Sequence, residues 1–473
     1  MAESFTQLAS IISGNISALR TICEQNKLPL PDLDAPTFTP DSEAFRSHKD
    51  AGQAAKLAAA ACLRLAAALV PPNDFVFNEL AGGVLSSEAL VVCLEGNVTE
   101  ILREAGPKGL HVNEIAAKSG LDPLKIGRIV RFLAARHCYR EIFPDVFVNN
   151  RISSMIDTGK SVEDLKADPD SKYDFTGFPA LCSYRLEFDL KGGAVAWETL
   201  KDPEYGHSSD PTKTIFSKAF RTDLMHYEFL EQPEQEYRRR RFGYAMQGVA
   251  ALQPTDMIFK ALDWTSLPEN AKVVDVGGGI GTAIMPLVQR YPKVTAVVQD
   301  LPHVVEEGKK LWTTKMPATL TSGQVKFEAH DFLTPQPVKD ATVFLLKQII
   351  HNWPVTYTTN IIRHLREAAQ PDTFLVIVEY ITPYACRIPP GTVDAIDGAV
   401  DLQPAPEPIL PNYGPLSGSV YNLDMTMMNY FNAQEFTILQ LNEILESTGW
   451  RLKSCNPIDA RDTTLRSVVA VPA

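Results

Sequence analysis

Acidic and basic side chains recur where apolar runs end in the second half of the chain. Asp275 lies in the β-branched run 273–276, which leads straight into Gly277, Gly278, Gly279 and Gly281. Asp300 closes the run 294–300, Asp331 closes 325–331, and Glu379 closes 374–379. The run 342–347 ends at Lys347, with His351 just beyond it. Carboxylates can grip hydroxyls or accept protons, and histidine exchanges protons near neutral pH. A glycine turn lets a ligand approach the backbone because no Cβ stands in the way. One polar residue at a strand end is ordinary. An acid or a His/Lys pair at five successive ends points to one crevice that binds a ligand and moves a proton.

The elements that hold these residues read as an α/β domain. Near-continuous apolar strands separated by helices make a doubly wound, Rossmann-like parallel sheet covered on both faces. Ligands bind such sheets beyond the carboxyl ends of the strands. Asp300 follows Asp275 by 25 residues, the spacing at which an acid grips ribose hydroxyls, so an adenosine-bearing cofactor is expected. The dinucleotide pattern GxGxxG would need its third glycine at Thr282, and no P-loop lysine follows the turn. Both facts count against a nicotinamide dinucleotide or a nucleoside triphosphate. A helix is expected over 282–291 and another over 433–449, with closing strands at 451–455 and 465–471. Residues 383–415 hold eight prolines and are expected to form a lid or a surface excursion.

The first half reads differently. Residues 4–25 have amphipathic helical spacing. Residues 27–42 carry four prolines and read as an extended linker. Helical composition returns over 51–80. The Ala-rich stretch 52–70 is interrupted by Lys56 and Arg64, so it is expected to pack as a helix and not to span a membrane. Its apolarity suggests a second subunit as partner. Residues 98–150 follow a helix, turn, helix, hairpin order, with Asp122 capping and Pro123 in the first turn. That is a winged helix, a fold used for DNA binding or for packing and dimerisation. Packing is favoured. Lys125, Arg128 and Arg131 do not outweigh a net charge of −12, which repels nucleic acid and anionic membranes. Residues 155–250 are expected to be helical, broken near 201–211 and dense in aromatics that suit a core or a flat apolar ligand. Glu234 and Arg238 are spaced to pair on a solvated helix face.

A chain of 473 residues with 45% hydrophobic content supports two or three domains. The expected division is 1–160 for dimerisation, 161–255 as a helical connector contributing to an acceptor pocket, and 256–473 as the catalytic domain. Seven scattered cysteines without a CxxC pair fit a reducing, cytoplasmic setting, and no basic leader precedes an apolar run.

Five ordered motifs carry a resemblance: VDVGGGIGT, VVQDLPHVVEEG, HDFL, LLKQIIHNWP and VIVEYITP. From Phe242 onward the chain resembles the S-adenosylmethionine-dependent O-methyltransferases of the caffeic acid/flavonoid type, which also occur in fungi. The resemblance implies a methyltransferase sheet and an N-terminal dimerisation region. It implies that Gly277, Gly279, Asp300, Asp331, Phe332 and Lys347 bind S-adenosylmethionine. It implies that His351 is the general base flanked by Glu379 and Glu435, with no metal assigned. Phe242 and Met246 match residues near the reacting methyl and acceptor ring, and Met427 is a further pocket candidate. Asn352 stands where the family usually has Asp, and the 383–415 stretch is longer than in plant members. The implied reaction methylates a hydroxyl of a small aromatic, a phenol or polyketide, within a homodimer. Two other readings are a cofactor-dependent cyclase or pericyclase of the same fold, and a winged-helix DNA-binding regulator.

Overall fold

The computed structural model describes residues 2–394, 396–399, 404–458 and 464–473. The chain forms two compact units, one of residues 1–202 and 215–253, the other of residues 203–214 and 254–473.

In the first unit the helix Ala2–Asn26 packs against Lys49–Leu69. The contact is close because the second helix turns Ala51, Ala54 and Ala58 inward. Lys49–Leu69 and Pro72–Glu95 are both long and apolar enough, by length and composition, to cross a membrane. Each leaves much apolar surface uncovered in the single chain: Leu69, Phe77, Leu80, Val84 and Leu85 are exposed. Next come helices Val98–Ala105, Val112–Ser119 and Pro123–Ala134. A small sheet adjoins them, made of β1 (Leu110–His111), β2 (Arg140–Phe143) and β3 (Val146–Val148) in the order β1-β3-β2. This is the expected winged helix, with Asp122 accepting from Lys125 N at 3.0 Å as the cap. Arg131 of Pro123–Ala134 is bonded to Glu141 and Asp145 of the hairpin, both at 2.7 Å, so its charge is spent within the domain.

Helices Phe178–Gly193 and Glu236–Leu252 pack together. Arg238 does not pair with Glu234 as its spacing suggested. Glu234 lies in the turn Pro233–Gln235, before the helix begins at Glu236, so the two are not on one helical face. Arg238 instead donates to Glu187 at 2.6 Å, and Arg241, which is buried, binds the same carboxylate. Lys191 also donates to it at 2.7 Å; burial raises the proton affinity of Glu187, but these three bonded cations outweigh it and hold the carboxyl down to about 2.

The second unit is built on a seven-stranded sheet: β4 (Lys272–Val276), β5 (Thr295–Asp300), β6 (Val325–Ala329), β7 (Val343–Lys347), β8 (Phe374–Tyr380), β9 (Trp450–Pro457) and β10 (Leu465–Pro472). The spatial order is β6-β5-β4-β7-β8-β10-β9. The first five strands run parallel, and β10 is antiparallel to both neighbours. Apolar clusters cover both faces, which is why the strands read as unbroken hydrophobic runs. The helix Val355–Ala368 buries Thr358, Ile361, Ile362, Leu365 and Ala368, a helical stripe.

Two expectations need correction. The helix expected over 433–449 begins at Ile438, because Thr437 and Gln440 form a capping box that fixes its start. Part of the proline-rich stretch, expected as a lid or a surface excursion, instead packs on the sheet, while residues such as Cys386, Pro390 and Glu407 stay exposed. Val393, Ile396 and Ala399 pack into the sheet's hydrophobic cluster beside Trp450, Leu452 and Cys455. Asp397 O accepts from Cys455 N at 2.8 Å. The segment is a strap along edge strand β9, where it covers backbone groups that would otherwise be open.

After β4 the chain turns through Gly277, Gly279 and Gly281 at φ +67, +58 and +78, the left-handed region that glycine enters without penalty. At Gly281 a Cβ would also stand 2.9 Å from Trp312 Nε1, whose N–H donates to Ile280 O at 3.0 Å. At Gly279 a Cβ would meet nothing within 4 Å. Gly279→Ala is expected to cost only the left-handed penalty, about 1–2 kcal/mol. Gly281→Ala adds the steric clash and should lower the urea midpoint further. Equal midpoints would show that Trp312 yields freely.

Candidate active site

The sheet order places the ends of β4, β5, β7 and β8 along one edge. Asp300, the last residue of β5, reaches back to the glycine turn. Its Oδ2 accepts from Gly279 N at 2.8 Å and its Oδ1 from Leu301 N at 2.8 Å. Gly278 N donates to Gln299 O at 3.0 Å. The turn is therefore tied to β5 at two successive residues.

Asp275 lies beneath the turn and is 1% exposed. Burial raises its carboxyl to about 7, against the pull of Lys347. Its Oδ2 has no hydrogen-bond partner among the described residues. Lys347, at the end of β7, has its proton affinity lowered by burial and partly restored by Asp275 and Glu379. After β6, Asp331 Oδ1 accepts from Leu333 N at 2.9 Å. The Phe332 ring stands edge-on to Trp353 with centroids 5.6 Å apart. A Cβ at Gly277 would lie 3.2 Å from Phe332 and 2.8 Å from Ile349. Turn and aromatic loop are thus neighbours.

Gln348 follows β7 with φ +54, a conformation uncommon for a residue with a side chain. The chain then coils through Ile350–Asn352 and delivers His351 into the interior. His351 Nδ1 lies 2.6 Å from Glu435 Oε1 and 3.9 Å from Glu379 Oε2. All three residues are buried. Glu379 comes from β8, and its Oε1 accepts from Ile350 N at 3.0 Å. Glu435 comes from the loop before Ile438–Ser447. Its N–H donates to Asp424 Oδ1 at 2.8 Å, and its carbonyl accepts from Thr382 Oγ1 at 3.1 Å.

The electrostatics follow from this burial. Desolvation works against a charged imidazole, but Glu379 and Glu435 outweigh it and push His351 up to about 9. Desolvation raises Glu379 to about 7, opposed by His351. The cluster therefore holds a proton that an isolated histidine would release. The three donor atoms lie within 4.8 Å of one another, close enough for a divalent cation to span. The 2.6 Å contact with Glu435 already occupies Nδ1, so the set is described more directly as a proton-holding cluster.

The expected residues divide between the two units. Gly277, Gly279, Asp300, Asp331, Phe332, Lys347, His351, Glu379, Glu435 and Met427 belong to the second. Met427 is buried in helix Gly418–Phe431, which packs against Ile350–Asn352. Phe242 and Met246 lie in the first unit on Glu236–Leu252. There Phe242 faces Tyr184 with centroids 5.2 Å apart, and Met246 is 38% exposed. Sequence reasoning gave no role to Asp424, Gln299 or Gln336. Only Gln299 carries a signal in hindsight, a polar residue inside the apolar run of β5.

The edge suits an adenosyl cofactor. Gly279 leaves its backbone open, Asp275 offers an orphaned buried oxygen, and Asp300 keeps lone pairs beyond the two it has committed. Comparison with known proteins agrees. The profile described as an O-methyltransferase domain matches residues 197–394. The protein called 4-O-methyltransferase 1 of Phanerochaete chrysosporium is 45% identical over 475 residues, covering 100% of each chain. Two solved structures share the fold at low identity. One is described as a pericyclic reaction enzyme, with TM-score 0.62 and 18% identity over 98% of this chain and 100% of its own. The other is an O-methyltransferase from neocarzinostatin biosynthesis, solved with S-adenosylmethionine and 2-hydroxy-5-methyl naphthoic acid. Its TM-score is 0.54 at 17% identity, over 82% of this chain and 96% of its own. With a relative this similar along its whole length, the chain belongs to the O-methyltransferase family, whose methyl donor is S-adenosylmethionine.

Proposed function

We propose that the protein methylates a hydroxyl on a small aromatic acceptor, a phenol or polyketide-like ring, with His351 as general base. The observation that carries the reading is the buried His351–Glu435 contact of 2.6 Å, with Glu379 at 3.9 Å, on the sheet edge that also bears Asp300 and the glycine turn. Gly277, Gly279, Asp300, Asp331, Phe332 and Lys347 hold the cofactor. When bound, S-adenosylmethionine supplies a methyl group made electrophilic by its sulfonium.

A phenol with pKa about 10 is mostly protonated at neutral pH, so its oxygen must lose a proton as it attacks. Glu435 fixes Nδ1 as the protonated nitrogen and leaves Nε2 to accept that proton. Glu379 adds a second negative charge that stabilises the imidazolium as it forms. Met427, buried in the helix Gly418–Phe431 that packs against Ile350–Asn352, supplies apolar surface for the ring. An aromatic acceptor suits Met427, Tyr430 and Phe431, which are buried on that helix. The naphthoic acid bound by the structural relative points the same way.

A second reading has one observation in its favour, the likeness to a pericyclic reaction enzyme. In that case the cofactor would act as a fixed charge. Donor bearing a labelled methyl separates the two: label in the product supports transfer, and turnover without label supports rearrangement.

The exposed apolar face made by Leu69, Phe77, Leu80, Val84 and Leu85 is proposed as a homodimer contact, since a face this apolar is covered in most working proteins. A cytoplasmic setting is proposed on the ground that all seven cysteines are unpaired. Light scattering should show two chains per particle, and Phe77→Asp with Leu80→Asp should yield one. A wild-type monomer would refute the contact.

His351→Ala should lower kcat/KM by at least about 10²-fold, the low end for general base catalysis, and leave cofactor affinity nearly intact. An unchanged rate would remove the base from the mechanism. The pH profile carries a sign. The base works only after losing its proton, and the carboxylates raise the pH at which it does so. kcat/KM should therefore climb between about pH 7 and pH 9, the range set by Glu379 and His351. Glu435→Gln removes one negative charge and should move the climb to lower pH. A shift to higher pH would contradict the assignment.

A further inference from the structure

Two buried glutamines join the parts of the cofactor edge that the sequence keeps apart. Gln299 and Gln336 are each 1% exposed. Gln299 Nε2 donates to Gln336 Oε1 at 2.9 Å, and Gln336 Nε2 donates back to Gln299 Oε1 at 2.8 Å. Two further bonds anchor the pair: Gln299 Nε2 donates to Glu328 Oε1 at 2.7 Å, and Gln336 Oε1 accepts from Val338 N at 3.0 Å. A buried, reciprocally bonded amide pair of this kind holds the two segments in one register.

Its position gives that register a purpose. Gln299 precedes Asp300 on β5, and its carbonyl accepts from Gly278 N at 3.0 Å. Asp300 accepts from Gly279 N at 2.8 Å, and its carbonyl accepts from His330 N at 3.0 Å. Gln336 lies in the loop that follows Asp331 and Phe332. Residue 299 therefore touches the glycine turn through its backbone and the aromatic loop through its side chain.

We propose that Gln299 and Gln336 are positioning residues for the adenosyl cofactor: their reciprocal amide pair sets the span between Asp300 and the Asp331–Phe332 loop. Neither side chain needs to touch the ligand. The pair acts by keeping two binding elements at the separation that ribose and adenine require. It discriminates by the adenosyl portion, so methyl donor and demethylated product depend on it equally. The proposal rests on the assignment of Asp300, Asp331 and Phe332 to the cofactor site.

Two variants separate positioning from packing. Gln336→Leu leaves Gln299 Oε1 and one Gln299 N–H unpaired in a buried site, so it should lower the melting temperature and raise the Kd of S-adenosylmethionine and S-adenosylhomocysteine about tenfold. The double variant Gln299→Leu with Gln336→Leu replaces both partners by apolar groups, which is nearly neutral for folding. Half-buried Glu328 can then turn to water. It should recover most of the lost melting temperature but not the affinity, measured by calorimetry with each ligand. kcat at saturating donor should stay close to wild type. A double variant that binds both ligands like wild type overturns the proposal. So does an affinity that falls and recovers only in step with the melting temperature, because that is packing alone. Asp300→Ala in the same assay guards the premise. If it binds normally, the site assignment fails. If it binds weakly while the double variant binds well, only the positioning role fails.

Discussion

Two carboxyl groups can both ionise in a dry interior only if something positive is held against them, and here that is the imidazole of His351. Glu379 and Glu435 are buried to 2% exposure and both face the same ring nitrogen. Taking such charges out of water costs several kcal/mol per ion unless partners compensate. Much of the second unit is arranged to provide that compensation. Gln348 accepts a left-handed backbone, the turn after β7 donates Ile350 N to Glu379, and Asp424 holds Glu435 by its backbone. The late start of Ile438–Ser447 leaves Glu435 in a loop that can reach inward. A strained residue and a shortened helix are the local concessions made to one ionic cluster.

The same constraint explains what was legible in the sequence. Strands β4 to β8 announced themselves as apolar runs, and the acids at their ends stood out against that background. Asp300, Asp331, Lys347, His351 and Glu379 could be placed on one edge by strand order alone. Glu435 could not. It lies between Ala433 and Phe436, where apolar spacing extends the following helix backward. The capping box at Thr437 and Gln440 was written in the sequence and marks the true start, but hydrophobic periodicity hid it. Only the family resemblance pointed to that glutamate.

Other expectations failed for related reasons. Arg238 has a glutamate four residues before it, yet its partner is Glu187 on a different helix, brought near by packing and shared with a buried Arg241. Local spacing records what a residue can reach within its own helix and nothing of what the fold delivers from elsewhere. The strap over β9 shows the opposite case. Its prolines abolish any period, so its buried residues Val393, Ile396 and Ala399 looked like those of a loop. It is ordered by the sheet edge it covers, and that edge exists only after strands far apart in sequence have paired.

The charge of the crevice bears on the order of events at the site. Five carboxyl groups, Asp275, Asp300, Asp331, Glu379 and Glu435, are set along this edge against two cationic side chains, Lys347 and His351. Lys347 feels both Asp275 on the turn side and Glu379 on the base side, so a single ammonium is divided between the two halves. An edge with surplus negative charge, partly screened from water, favours a ligand that brings positive charge. S-adenosylmethionine carries a sulfonium and an ammonium against one carboxylate, and its demethylated product keeps only the balanced pair. The adenosyl contacts are common to both, so they cannot tell donor from product. On the proposed site assignment, the buried acids are the groups that could tell them apart, because only the donor brings the sulfonium charge.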